Sequence, residues 1–89
     1  MERRRIVFIG RVQGVGFRAM AAAVASGHLV SGWVRNEPDG SVVLEIQGDP
    51  AEIDGCLKDL TARMGWFIRG QESFQIPPEE RTSGFDIRR

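Results

Sequence analysis

The sequence predicts an α+β domain in which a mainly antiparallel sheet of four to five strands carries two helices on one face. Short β-branched segments alternate with two segments of helical apolar spacing, in the order strand, helix, two strands, helix and two further strands. A Pro38-Asp39-Gly40 turn joins the two middle strands, which makes that pair antiparallel. Right-handed crossovers then place both helices on one side of the sheet, which is the ferredoxin-like arrangement.

The strands are predicted from short apolar runs bounded by glycine or proline. The first ends in the glycine that opens a glycine-rich loop, and the fourth has the weakest pattern. The expected strands are Arg5 to Gly10, Ser31 to Asn36, Ser41 to Gln47, Trp66 to Ile76 and Gly84 to Arg88.

The first helix is expected from Phe17 to about Gly27, with Gly27 as a left-handed stop and His28 near the negative helix end. Its apolar residues recur at helical spacing and form one face. These residues are Phe17, Met20, Ala21, Val24 and Ala25.

The second helix has the clearest start signal. Asp49 is a candidate cap, Pro50 suits the first helical position, and Gly65 ends the apolar spacing. The apolar positions between them are Ile53, Cys56, Leu57, Leu60 and Met64. Because Cys56 lies on this stripe, we expect a buried, unreactive thiol.

Charge and composition exclude several classes of function. Twelve Lys plus Arg balance twelve Asp plus Glu, which argues against an extended nucleic-acid face or a membrane-binding patch. No apolar run approaches the roughly 20 residues of a membrane span. One cysteine and one histidine cannot form a Cys/His zinc site. We therefore expect a small, reduced, cytoplasmic protein.

The glycine loop is the most informative segment. Gly14-x-Gly16-x-x-Ala19 follows a strand and opens a helix, as in a dinucleotide fingerprint, but the short chain and the antiparallel hairpin oppose a nucleotide-binding fold. Loop amides and a helix N-terminus can still bind an anion, with Arg18 adding a bidentate guanidinium. The alternative is that both glycines serve a tight turn and Arg18 points to water.

Asn36 ends the strand before the turn, where asparagine usually bonds to the local backbone. If its strand lies near the first strand, Asn36 can instead reach the loop and orient a water molecule. No histidine, carboxylate pair or nucleophile accompanies the loop, so a reaction here must depend on positioning and charge stabilisation. A carboxyl–phosphate anhydride suits this, because its leaving carboxylate has a pKa of about 4 and needs no general acid.

The segments Gly10 to Arg18 (GRVQGVGFR) and Gly32 to Asn36 (GWVRN), followed by Asp39-Gly40, resemble the acylphosphatase family. The resemblance is strong from Ile6 to Gly48 and continues weakly to the last strand. It implies one acylphosphatase-like domain over residues 1–89 and a metal-free, cofactor-free cytoplasmic hydrolase of acyl phosphates.

The resemblance also implies the site residues. Arg18 corresponds to the phosphate-binding arginine and Asn36 to the water-orienting asparagine. The phosphate-binding loop, acting through backbone amides, comprises Gln13, Gly14, Val15, Gly16, Phe17 and Arg18.

The implied partners are a small acyl phosphate as substrate and inorganic phosphate as product and inhibitor. Acetyl, carbamoyl, glyceroyl and aspartyl phosphates all present the same phosphate to Arg18. We expect a monomer with no nucleic-acid or membrane partner.

Two segments depart from the family pattern. Gly27-His28-Leu29 stands where the family usually has Leu-Gly, and Gly65-Trp66-Phe67 stands where it usually has Gly-Pro-Pro. These departures concern the end of the first helix and the register of the fourth strand. We expect Trp66 and Phe67 to be core or partly covering residues.

The competing interpretation is a non-catalytic anion- or RNA-binding module of the same fold. RNA-recognition domains need exposed aromatics on their central strands, and Ser41 to Gln47 has none. A third interpretation is a regulatory or carrier domain that keeps the acylphosphatase architecture, as in the first domain of larger carbamoyl-transferring maturation proteins. The chain length and the lack of cysteine motifs oppose it.

Overall fold

The computed structural model of the protein describes residues 1–89. Five strands form one sheet in the order β4-β1-β3-β2-β5. Every neighbouring pair is antiparallel except β2 and β5, which are parallel. The predicted ferredoxin-like α+β fold is thereby confirmed. The elements are β1 Glu2–Gly10, α1 Phe17–Ala25, β2 Val30–Asn36, β3 Val42–Gly48, α2 Pro50–Met64, a 3-10 turn Gly65–Phe67, β4 Ile68–Ile76 and β5 Phe85–Arg88.

Both helices pack on one face of the sheet and enclose the core. Side chains alternate between the two faces of a strand, so the even-numbered residues of the three central strands point toward the helices. The helices contribute the apolar stripes predicted from their spacing, although Met20 and Leu57 are only partly buried. The buried core comprises Ile6, Phe8, Val12, Phe17, Ala21, Val24, Ala25, Val34, Val42, Leu44, Ile46, Ile53, Cys56, Leu60 and Met64.

The opposite face of the sheet carries ion pairs as well as the buried side chains of Trp33 and Val43. Arg3 is 2% exposed there, and its guanidinium contacts Glu45 and Glu79. Arg5 also contacts Glu45, at 3.5 Å. Arg3 and Arg5 of the N-terminal strand are therefore paired with carboxylates of the same chain. Arginines paired in this way are less available to RNA phosphates, which weakens the case for an RNA-binding arm.

The first strand begins earlier than predicted, at Glu2, and pairs there with Gly48. Arg3 and Arg4 continue this pairing opposite Gln47 and Ile46. The early start depends on partners more than forty residues away, and local propensity does not predict such pairing.

Neither helix is long and apolar enough to cross a membrane.

The end of α1 differs from the prediction. The helix stops at Ala25, and Gly27 is not in the left-handed region, so its predicted role as a left-handed stop is wrong. The chain instead continues in a right-handed turn, in which His28 N donates to the Ala25 carbonyl at 3.1 Å. His28 therefore lies at the end of α1, as predicted, and its ring is 2.7 Å from Asp59, which links this end to α2.

The predicted start at Pro50 and the end before Gly65 are confirmed for α2, but two expectations near its ends are wrong. Asp49 precedes Pro50 as predicted but makes no side-chain capping bond, and Gly65 continues right-handed into the 3-10 turn. That turn carries Trp66 outward, where it is 94% exposed, so the expectation that Trp66 covers the core is wrong. Phe67 is half-buried against the core, as expected.

Candidate active site

The loop between β1 and α1 brings unpaired amide groups to one end of the sheet. Gly14 and Gly16 have φ of 78° and 79°, a left-handed conformation that glycine adopts without a Cβ penalty. No amide N–H from Gln13 to Ala19 donates to a backbone carbonyl, and the first bond of the helix runs from Met20 N to the Gly16 carbonyl at 3.0 Å. Unpaired amides at a helix N-terminus favour a bound anion.

The side chain of Gln13 attaches this loop to the β2–β3 turn. Its Nε2 donates to the Glu37 carbonyl at 2.7 Å and to the Ser41 carbonyl at 2.9 Å. The two carbonyls flank the turn that directly follows Asn36. Gln13 therefore fixes the position of the loop relative to the end of β2.

The turn itself is held by Asp39. Its carboxylate accepts hydrogen bonds from the Ser41 hydroxyl at 2.6 Å and from the Ser41 amide at 2.9 Å. These bonds, the hydroxyl first, hold the pKa of the Asp39 carboxyl below its ordinary value. Asn36 thus lies at the base of a turn that is fixed on both sides.

Arg18 and Asn36 line the same hollow, which has a volume of about 230 Å³. Arg18 Nη1 donates to the Arg88 carbonyl of β5 at 3.2 Å, which orients the guanidinium rather than leaving it free in water. The lining residues are Gly14, Gly16, Arg18, Ala19, Asn36 and Ile87.

Three predicted loop residues do not line the hollow. The Gln13 side chain forms the clamp to the turn, Phe17 is 2% exposed within the core, and Val15 packs against the core. Only their backbone amides could reach a bound anion, which was the role predicted for them. The side-chain role of Gln13 was not predicted.

Two further contributors come from β5, which sequence reasoning did not connect to the site. Ile87 forms part of the wall, and Arg88 supplies the carbonyl that anchors Arg18. Both depend on the parallel pairing of β5 with β2, in which Val34 lies opposite Ile87. Ile87 and Arg88 could have been connected to the site only by predicting that β5 pairs in parallel with β2.

Cys56 is separate from the site and unsuited to nucleophilic chemistry. It is 2% exposed within α2 and belongs to the core. Burial, aided by the charges of Asp59 and Glu52, raises the pKa of its thiol to about 11. The predicted burial of this thiol is confirmed.

We expect Cys56 of the folded chain to react with iodoacetamide near neutral pH at least about 100-fold more slowly than in the urea-unfolded chain, because both thiolate formation and access are restricted. Mass spectrometry of samples quenched over time gives both rates. Comparable rates in the folded and unfolded chains would contradict this description of the thiol.

Comparison with known proteins identifies the family. The acylphosphatase family model matches residues 4–87. The chain belongs to the acylphosphatase family. An acylphosphatase from Methylococcus capsulatus is 42% identical over 88 residues, covering 99% of this chain and 82% of that protein. One from Thermococcus kodakarensis is 37% identical over 86 residues, covering 97% and 80%.

Solved acylphosphatase structures agree with this assignment. The Bacillus subtilis acylphosphatase superposes with a TM-score of 0.88 at 26% identity, covering all of both chains. HypF from T. kodakarensis matches with a TM-score of 0.86 at 27% identity, but this chain spans only 12% of it. The same fold therefore also occurs as a small part of a larger protein. The predicted family and the enzyme class, an acylphosphatase hydrolase, are confirmed, and the binding-module alternative is not favoured.

Proposed function

We propose that residues 1–89 act as one acylphosphatase domain that hydrolyses the carboxyl–phosphate bond of small acyl phosphates without a metal ion. The loop amides and Arg18 bind the phosphate, and Asn36 orients the attacking water. The observation that carries this proposal is the shared hollow of Gly14, Gly16, Arg18 and Asn36. Inorganic phosphate, the product, is expected to bind the same place and inhibit.

Phosphate binding uses donors that the fold leaves unpaired. The amides from Gln13 to Ala19 have no backbone acceptor, and the N-terminus of α1 adds a partial positive charge. Arg18 Nη1 donates one hydrogen bond to the Arg88 carbonyl, and the remaining N–H groups of the guanidinium are available to phosphate oxygens. Fixed donors of this kind stabilise the charge that spreads over the equatorial oxygens during phosphoryl transfer.

Water attack is assigned to the Asn36 side of the hollow. An amide can accept a hydrogen bond from water through its oxygen and donate through its nitrogen, so it can hold one orientation. The water oxygen bonds to phosphorus while the bond from phosphorus to the carboxylate oxygen breaks. The carboxylate leaves with the bonding electron pair, and the proton of the water passes to phosphate or solvent.

The composition of the hollow explains why such a reaction needs no proton donor. Arg18 is the one ionisable side chain among the lining residues. A carboxylate leaving group of pKa about 4 departs unprotonated near neutral pH. Catalysis then depends on positioning and charge stabilisation, which is what this hollow supplies.

The test is hydrolysis of benzoyl phosphate in EDTA by wild type and Asn36→Ala. Wild type is expected to keep full activity in the chelator. Asn36→Ala is expected to lose about 100-fold in kcat, because a misplaced water attacks poorly. Inhibition by inorganic phosphate should change little, since the loop and Arg18 remain.

The matched control is Gln71→Ala, which removes an exposed amide from β4, away from the hollow. It should hydrolyse benzoyl phosphate at the wild-type rate. If EDTA abolished the activity of wild type, the metal-free mechanism would be wrong. Full activity in Asn36→Ala would remove the role of Asn36.

A further inference from the structure

One wall of the hollow is apolar and has no part in phosphate chemistry. Ile87 pairs with Val34 and points to the same face of the sheet, yet Val34 is fully buried whereas Ile87 is 50% exposed. Ile87 and the exposed Ala19 are the hydrophobic residues of the lining. The remaining lining is glycine backbone, Arg18 and Asn36.

We propose that Ile87 is the acyl-group contact of this enzyme and makes it selective for acyl phosphates with an apolar acyl group large enough to reach this side chain. This inference rests on the proposed function. One bridging oxygen joins the acyl carbon to phosphorus, so phosphate bound at Arg18 keeps the acyl group within the same small hollow. Covering the exposed half of Ile87 with apolar carbon removes area from water, which is favourable.

The position of Ile87 in β5 fixes it relative to the phosphate. Its neighbour Arg88 accepts the hydrogen bond from Arg18 Nη1 at 3.2 Å. The acyl contact and the anchor of the phosphate-binding arginine are therefore consecutive residues of one strand. An acyl group that touches Ile87 is held while the phosphate is held.

A charged acyl group finds no partner at this wall. The Arg88 guanidinium lies over the Trp33 ring, 4.7 Å from its centroid, on the opposite face of the sheet. Arg18 is thus the one cation of the hollow, and the phosphate uses it. A second carboxylate beside Ile87 would lose part of its hydration without an ionic partner, which disfavours acyl phosphates of dicarboxylic acids.

The hollow is small and partly open to solvent. Its volume of about 230 Å³ lies below the roughly 300 to 1,000 Å³ of sites that enclose drug-sized ligands. It can therefore cover a single ring or a short chain, whereas a longer acyl group would extend beyond it into solvent.

The experiment measures kcat/KM for benzoyl phosphate and acetyl phosphate in wild type, Ile87→Ala and Ile87→Thr. Ile87→Ala is expected to lower the benzoyl value by about tenfold and the acetyl value by less than about threefold, because only the larger acyl group reaches the side chain. Ile87→Thr keeps the β-branched shape, suits a strand and should change the ratio in the same direction.

Ile9→Ala is the matched control, because Ile9 is 48% exposed on β1 and does not line the hollow. It should leave the benzoyl-to-acetyl ratio at the wild-type value. Equal losses for both substrates in both Ile87 variants, or an unchanged ratio, would overturn the acyl contact while leaving the proposed function standing. Failure of wild type to hydrolyse either substrate would overturn the proposed function, and this inference with it.

Discussion

Arg18→Lys is expected to hydrolyse benzoyl phosphate at least about 100-fold more slowly than wild type, and Arg18→Ala more slowly still. Arg18 makes two kinds of contact that a lysine cannot reproduce together. Nη1 donates to the Arg88 carbonyl at 3.2 Å, and Arg18 lines the hollow, so its other N–H groups are available to a bound phosphate. A lysine ammonium is a point charge without a fork, so it cannot bind two phosphate oxygens side by side.

Inhibition by inorganic phosphate gives an independent measure of the same contact. Arg18→Ala should raise the inhibition constant for phosphate by at least about tenfold, because a charge-assisted bidentate contact is lost. Arg81→Lys is the matched control, since Arg81 is exposed and does not line the hollow. Unchanged phosphate inhibition in Arg18→Ala would contradict the assignment of Arg18, whatever happens to the turnover rate.

Local signals in the sequence predicted most of the fold. The Pro38-Asp39-Gly40 turn fixed the central hairpin, and Gly40 has the positive φ, 94°, that such a turn requires. Apolar spacing placed both helices, and Pro50 marked the start of the second. These features depend on residues within a few positions of one another, so they can be predicted from the sequence alone.

The errors have non-local causes. The start of β1 at Glu2 depends on pairing with Gly48, and the exposure of Trp66 depends on the direction in which a 3-10 turn leaves α2. The bridge from His28 to Asp59 joins two helices. Propensity and periodicity describe one segment at a time, so they do not predict contacts between segments.

The candidate site divides in the same way. Arg18 and Asn36 were found because each lies in a short motif, and the interval between the motifs carried the family resemblance. Gln13 was assigned a backbone role only, since its side-chain acceptors lie 24 and 28 residues away. Ile87 was missed because no local pattern shows that the last strand lies beside the second.

Arg3 forms the most buried charged network of the molecule and joins three parts of the chain. Its guanidinium donates to Glu45 at 3.0 and 3.1 Å and to Gln47 at 3.2 Å, and it contacts Glu79 at 2.8 Å. Gln47 extends the network by donating to the Glu79 carbonyl at 2.8 Å and accepting from the Glu79 amide at 2.9 Å. The network thus attaches the β4–β5 connection to β1 and β3.

Arg3→Met is expected to lower the free energy of unfolding by about 3 to 5 kcal/mol, because it leaves the largely buried Glu45 carboxylate without its main partner. Urea denaturation followed by circular dichroism measures the change. Arg5→Met is the matched control, since Arg5 is 41% exposed and contacts Glu45 only at 3.5 Å; its expected loss is within about 1 kcal/mol.

A double variant separates the two contributions to that loss. If the cost comes from the uncompensated Glu45 charge, then Arg3→Met with Glu45→Met should recover part of the stability, because replacing a whole buried ion pair by apolar side chains is often close to neutral. If the cost comes instead from releasing the connection at Glu79, the double variant should be no more stable than Arg3→Met. A loss below about 1 kcal/mol in Arg3→Met would show that Arg3, despite being 2% exposed, behaves as a surface ion pair does.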